Sequence, residues 1–305
     1  MTEVIASVDL GSHSLHLQLA ELQAGRVVFG EVHREGTSLA ARGGLSGQPL
    51  HPDAVRSALE ALTRFRDLAD RAGARHRVCW ATAALREADD PTFLELAEQR
   101  LGCPVRVLSG HEEALVTWLG SRLRVPPHPR PLVVDLGAGS TELAYGRDDP
   151  ELLASFAVGH ARAAATWPRG ALATPERLID LAAAELAPVA AAAGRHPWER
   201  LVATGGTART LARMAGLDRV DGASLANPTL TSLLARLATT PADRLHTLPG
   251  VDLRRRHSLL HGAALWCGML RALDVDRMTV VRPTLREGLL ELWLRERAGR
   301  VGDPG

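Results

Sequence analysis

The sequence predicts an α/β protein of two similar lobes facing a cleft, each lobe a βββαβα unit. Three observations point there. At 305 residues the chain is long enough for two domains of ordinary size, about 100–200 residues each. One motif occurs twice: Asp9-Leu10-Gly11-x-x-Ser14 and Asp135-Leu136-Gly137-x-x-Ser140 each close an apolar strand and lead into another. Between the copies, Val125-Pro126-Pro127-His128-Pro129-Arg130-Pro131 breaks any helix and has linker composition. The expected domains are therefore residues 1–124 and 125–305.

In chain order, Val4–Val8 is β-rich, and Leu15, Leu17 and Leu19 alternate with His16, Gln18 and Ala20, the period of a half-buried strand. Gln23-Ala24-Gly25 turns the chain into a strand at Arg26–His33. After the loop Gly43-Gly44-Leu45-Ser46-Gly47, a helix over Pro52–Ala72 would place Val55, Leu59, Leu62, Phe65 and Leu68 on one face. A strand at Arg77–Trp80, a helix from Pro91 to Leu101, a strand at Val105–Leu108 and a helix from Glu112 to Leu119 complete the first unit. The pattern restarts with strands at Leu132–Val134, Thr141–Tyr145 and Leu152–Val158. An Ala-rich helical segment (Pro175–Ala193), a strand at Leu201–Ala203 and a helix after Gly205-Gly206-Thr207 follow. Pro228 to Arg297 reads as mostly helical, with a short strand around Met278–Val281.

Composition removes several function classes. With 36 basic and 35 acidic residues the net charge is +1, so no nucleic-acid partner is expected, because nonspecific coating needs a basic surface. No apolar run approaches the roughly 18 residues of a membrane span. The first strand-like segment begins three residues in, without a basic n-region. Neither a membrane partner nor a secretory leader is expected, and a cytoplasmic location follows as the expectation. Cys79, Cys103 and Cys267 are too far apart for a disulfide framework or a CxxC zinc site. All 36 basic residues are arginine, which excludes Schiff-base chemistry and the P-loop lysine.

The repeated turns carry the chemistry. A Gly- and Ser-rich hairpin turn can aim consecutive backbone N–H groups into one anion nest, with glycine admitting positive φ or close approach. An Asp at the end of the preceding strand, Asp9 or Asp135, supplies a hard oxygen for Mg²⁺; the plain alternative is a hairpin with a turn-favouring Asp. A dinucleotide fingerprint fails, because Gly137-Ala138-Gly139 is followed by Ser140-Thr141-Glu142 with no third glycine. Thr82 and Arg86 follow a strand, where open α/β sheets carry ligands and a guanidinium can clamp phosphate oxygens. Glu112 and Glu113 open a helix: either both simply favour its dipole, or one orients or deprotonates a water for attack on phosphorus.

These turns, with Thr82/Arg86, Ser109-Gly110-x-Glu112-Glu113-Ala114, Asp135–Leu143 and Thr204-Gly205-Gly206-Thr207, resemble the ordered motifs of the exopolyphosphatase / guanosine pentaphosphate phosphohydrolase (Ppx/GppA) family. The resemblance continues through Leu248-Pro249-Gly250 and Leu285-Arg286-Glu287-Gly288-Leu289-Leu290, and so covers nearly the whole chain in its short, two-domain form. It implies two actin-like, ribonuclease H-like domains of the sugar kinase/Hsp70/actin superfamily, with substrate between them. It further implies that Glu113 is the general base, that Asp135 and Glu142 bind Mg²⁺ (or another hard divalent cation such as Mn²⁺) and position the water, and that Asp9 is the matching metal carboxylate. Arg86 falls on a phosphate-contacting arginine. Gly11, Ser12, His13, Ser14 and Thr82 line one phosphate site, Gly137, Ala138, Gly139, Ser140 and Thr141 the other, and Gly205-Gly206-Thr207 the nucleotide side. The implied reaction is Mg²⁺-dependent release of terminal orthophosphate from inorganic polyphosphate, with guanosine pentaphosphate as a second substrate, and a homodimer is left open. The loops depart from the family at His13, usually Asn, and at Ala138, usually Gly. Thr37-Ser38-Leu39 lacks the usual basic residue, and Arg282-Pro283-Thr284 replaces Ser-Asp-Gly.

Two other readings use the same residues: an ATP-dependent small-molecule kinase of the same fold, and a non-catalytic polyphosphate or alarmone sensor. His257 and His261 stand at i, i+4, a metal-capable spacing that is also an ordinary polar stripe. Arg254-Arg255-Arg256 reads as a solvated helix start or a contact for a distal part of an anionic polymer.

Overall fold

The structure is a computed structural model that describes residues 2–37, 39–40, 45, 47, 49–88, 90–167, 174–217, 219–282 and 285–299. Most of the 43–47 loop, Ser38 and the Pro283-Thr284 departure lie outside the described residues. Two compact units result, Met1–Gly120 with Leu285–Gly305, and Ser121–Thr284. The first therefore takes back the C-terminal helix, where a single cut at 124/125 was expected.

In the first unit β1 (Glu3–Leu10), β2 (Leu15–Gln23) and β3 (Arg26–Glu35) form an antiparallel meander. Helix α1 (Pro52–Arg71), β4 (His76–Ala81), α2 (Ala83–Ala88), α3 (Pro91–Leu101), β5 (Val105–Val107) and α4 (Gly110–Arg122) follow. The sheet order is β3-β2-β1-β4-β5, with β1, β4 and β5 parallel. Leu15 and Leu17 are buried as their alternation requires, but Gln18 is buried too. The register with β3 slips between Gln18 and Ala20. There the Gln18 amide donates to the carbonyls of Leu19, Gly30 and Glu31 at 2.7, 3.1 and 3.2 Å, satisfying a bulge that alternation cannot anticipate. Helix α1 buries Ala54, Ala58, Ala61, Leu62, Phe65 and Ala69. The expected stripe was rotated, because alanines face the closest approach while Val55, Leu59 and Leu68 sit half-buried on its flank.

The second unit repeats the scheme with β6 (Pro131–Leu136), β7 (Thr141–Gly146) and β8 (Pro150–Phe156). Helices α5 (His160–Thr166), α6 (Pro175–Glu185) and α7 (Ala187–Ala193) lead to β9 (Arg200–Thr204) and α8 (Gly206–Met214). The single helix expected over 175–193 is two, because Pro188 has no N–H to donate back into the preceding turn. Strand β10 (Ala223–Ala226), α9 (Asn227–Thr239), two 3₁₀ turns, α10 (Leu259–Ala272) and β11 (Arg277–Val280) complete it. The sheet order β10-β11-β9-β6-β7-β8 contains the first unit's order, read as β8-β7-β6-β9-β11, plus the edge strand β10. The repeat visible in the two Asp-Leu-Gly turns is thus a repeat of topology. Helix α10 is apolar nearly all round and buried at Leu259 and from His261 to Leu270, and Gly268 lets it touch α6, where a Cβ would lie 2.5 Å from that of Ala182.

Helix α11 (Leu285–Arg297) packs in the first unit, with Leu290 against Ile5 and Ala20. A Cβ on Gly288 would lie 1.9 Å from the Val116 carbonyl oxygen, so glycine is what lets α11 seat on α4. Among the described residues no helix is long and apolar enough to cross a membrane.

Candidate active site

Three motifs of the first unit lie at the carboxyl ends of parallel strands: Asp9 at the end of β1, Thr82 after β4, Leu108–Glu113 after β5. That edge is where open α/β sheets bind ligands. The turn after β1 is held from several sides. Ala40 N donates to the Ser12 carbonyl at 2.8 Å, Ala84 N to Ser12 Oγ at 3.2 Å, and Arg34 Nε to Ser14 Oγ at 3.2 Å. Thr82 Oγ1 reaches the Leu10 carbonyl at 3.4 Å, tying β4 to the same turn. A Cβ on Gly11 would lie 2.8 Å from the Ser14 carbonyl oxygen, and Gly11 has no positive φ; close approach alone demands glycine. His13 is half-buried in this turn.

Sequence reading missed His16. It stands directly opposite Asp9 across β1 and β2, with Nδ1 3.4 Å from Asp9 Oδ2. Burial holds its pKa below the ordinary value, outweighing the pull of Asp9, with Arg286 and Arg34 pushing the same way as burial. The ring is therefore neutral at pH 7. The signal was present: His16 follows Asp9 by the seven residues that separate Glu142 from Asp135. The other Asp9 oxygen, Oδ1, is buried and accepts no hydrogen bond among the described residues.

The two glutamates opening α4 have separate tasks. Ser109 Oγ accepts from Glu112 N at 3.2 Å, and Glu112 Oε2 accepts from Ser109 N at 2.7 Å, a reciprocal capping box. Burial pushes the Glu112 pKa up, but the Ser109 and Arg106 hydrogen bonds together hold it below its ordinary value. Glu113 instead turns inward, only 2% exposed, with Oε1 3.3 Å from Arg86. Arg86 also donates to the Leu108 carbonyl at 2.7 Å, which fixes the guanidinium between α2 and the end of β5.

In the second unit Asp135 and Glu142 are a directly opposed cross-strand pair, so their side chains share one face of the sheet. Glu142 is buried and accepts from Ser155 Oγ at 2.9 Å. The turn between them is clamped by α5: His160 N donates to the Gly137 carbonyl at 3.1 Å, Ala161 N to Ala138 at 3.0 Å, and Arg162 Nε to Gly139 at 3.1 Å. In a trans peptide the C=O of one residue is antiparallel to the N–H of the next. Three carbonyls held toward α5 therefore turn the N–H groups of Ala138, Gly139 and Ser140 away from it. Ala138 takes no positive φ, so its methyl is tolerated. Thr141 is spent internally, its hydroxyl donating to the Val158 carbonyl at 2.7 Å.

Gly205 adjoins this turn, with φ +99° and a position for Cβ that would lie 2.8 Å from Asp135 Oδ1. Gly206 opens α8 beneath Arg255, whose guanidinium fills the space a Cβ would take, and Thr207 is buried. Arg255 is a second residue that sequence reading left as one member of a charged run. Its neighbour Arg254 is bound to Asp252 at 2.8 and 3.0 Å, holding that carboxylate's pKa down at about 2. The His257/His261 pair does not form a metal face, because α10 begins only at Leu259 and leaves His257 outside it. His261 is buried, its ring 5.7 Å from that of Trp167.

The sequence model of the Ppx/GppA phosphatase family matches residues 23–297. The chain belongs to the Ppx/GppA phosphatase family. Solved structures agree in fold. A Ppx/GppA family member from Aquifex aeolicus is 24% identical, with 99% of this chain and 100% of that one covered, at a TM-score of 0.79. The type II variant of the Aquifex aeolicus Ppx/GppA phosphatase is 25% identical over 94% and 98%, at 0.72. An exopolyphosphatase from Cytophaga hutchinsonii is 20% identical over 96% and 98%, at 0.85. The two-sheet α/β architecture is that of the actin-like Ppx/GppA domains, and membership makes the chain a phosphatase.

Proposed function

We propose that this Ppx/GppA member releases terminal orthophosphate from inorganic polyphosphate, accepts guanosine pentaphosphate as a second substrate, and depends on a hard divalent cation such as Mg²⁺ or Mn²⁺. The observation that carries the reading is the division of labour on α4: Glu112 is consumed by the capping box, while Glu113 is buried beside Arg86.

The residues fit a divalent cation of this class. Among the described residues no group of three or more His, Cys, Asp or Glu forms a metal cage. Mg²⁺ does not need one, since it is commonly held by one or two carboxylates with water and substrate phosphate completing the shell. Asp135 with Glu142 supplies such a pair, and the unsatisfied Oδ1 of Asp9 supplies a hard oxygen in the first unit. A cation there would neutralise phosphate charge. The chain's own groups do the rest. The N–H groups of Ala138, Gly139 and Ser140 bind phosphoryl oxygens, and Arg86 and Arg255 present guanidinium charge. Glu113 takes a proton from the attacking water as its oxygen bonds to the terminal phosphorus. The bridging P–O bond breaks, its electron pair leaving with the shortened chain, and orthophosphate departs.

Malachite-green phosphate release across polyphosphate lengths, guanosine pentaphosphate and ATP tests the reading. Glu113→Gln is expected to lower turnover by about 10²–10⁴-fold with an unchanged circular dichroism spectrum, and EDTA to abolish wild-type turnover until Mg²⁺ is restored. Near-normal release by Glu113→Gln would reject the assignment, and polyphosphate binding without any release would identify a sensor.

A further inference from the structure

Beyond the motifs above, the second unit contains a groove of about 610 Å³ lined by four arginines, Arg209, Arg213, Arg219 and Arg282, with Asp221 as its acid. Its position is set by the sheet. Arg282 leaves the carboxyl end of β11, and β11 neighbours β9, which neighbours β6. Adjacent strands are about 4.8 Å apart, so the groove begins about 10 Å from the end of β6, where Asp135 and its turn stand. Thr204 Oγ1 bonds the Arg282 carbonyl at 3.3 Å, joining groove and Gly205-Gly206 turn directly. Arg209 and Arg213 are one helical turn apart on α8, the helix that the same turn opens.

Among the described residues, two of the groove's arginines have no acidic partner. Asp221 accepts from Arg282 N and Nε at 2.8 and 3.1 Å, and lies 4.0 Å from Arg124. Arg213 donates only to Thr210 Oγ1, at 3.3 Å, and neither Arg213 nor Arg219 pairs with a carboxylate among the described residues. Both are exposed. Like charges gathered in one concavity repel unless an anion joins them, and such a concavity raises the local concentration of polyanions.

We infer that this groove holds the distal phosphoryl groups of a polyphosphate whose reacting end lies at the second unit's Asp135 turn, so that it sets chain-length preference. The inference rests on the hydrolase reading for its substrate, and Arg282 stands at the same carboxyl edge of the sheet as Asp135.

The test compares wild type with Arg213→Ala/Arg219→Ala, whose fold is checked by circular dichroism. The double variant should raise KM for long-chain polyphosphate about tenfold or more, leave kcat unchanged, and leave both constants unchanged for tripolyphosphate. Added NaCl should raise the wild-type long-chain KM more steeply than that of the variant. Equal long-chain KM values would overturn the inference while the hydrolase reading stood. Should wild type release no phosphate, the hydrolase reading fails, and equilibrium binding of fluorescently labelled long-chain polyphosphate decides the groove alone: weaker binding by the variant supports it, and equal binding overturns it. Loss in the variant of a guanosine pentaphosphate effect on tripolyphosphate turnover that long chains do not compete away would also overturn it, in favour of a separate effector site.

Discussion

At the scale of single residues, the structure separates neighbours that sequence alone leaves equivalent. Glu112 and Glu113 are adjacent acids at a helix start, and periodicity does not say which one turns inward. The capping box with Ser109 decides it. Glu112→Ala should keep turnover within a few-fold and cost about 1 kcal/mol of stability, read by urea denaturation, whereas Glu113→Gln should do the reverse. Gly159 makes a second case. A Cβ there would lie 2.2 Å from the Ala138 carbonyl oxygen, so Gly159→Ala must push α5 off the turn it clamps. Turnover should fall about 100-fold, the scale of an ångström-sized misplacement, with a modest change in melting temperature. Neither Gly159 nor His16 was singled out from sequence, because each acts on a partner that only the three-dimensional register reveals.

At the scale of elements, strands and helices with strong periodicity were legible, and the helix expected at about Pro91 to Leu101 is there. Errors fell where tertiary contact overrides local pattern. Gln18 is buried by a bulge, α1 is rotated toward its alanines, and α5 and β10 are too short to show a period. The Asp-Leu-Gly turns were legible as a pair because their spacing repeats, whereas the Arg213/Arg219 groove was not, since its members come from separate elements. Helix α11 gives a prediction at this scale. Gly288→Ala should force it away from Val116 on α4, costing about 1–3 kcal/mol as overpacking does. Turnover should drop as well, because Glu113 is carried by that same helix.

Taken as a whole, the protein should weaken in mild acid for an identifiable reason. His16 titrates below its unfolded value of about 6.5 because burial disfavours its charged form. Between those two values the unfolded chain binds more protons than the folded one, so stability rises with pH across that window and is lost as pH falls below about 6.5. His16→Asn should flatten the change in urea midpoint between pH 7.5 and pH 5.5. The thiols should be quiet: Cys79 and Cys267 are buried, and burial pushes the Cys267 thiol up to about 12, so a thiol reagent at pH 8 should modify at most Cys103 before unfolding. The return of α11 to the first unit has an outcome in the cell. A ribosome delivers the β1–β5 sheet first, yet the leucine that covers Ile5 and Ala20 arrives only with residue 290. The first sheet is thus completed only after the whole of the second unit has been made, and until then its uncovered apolar patch is a place where chains can associate wrongly.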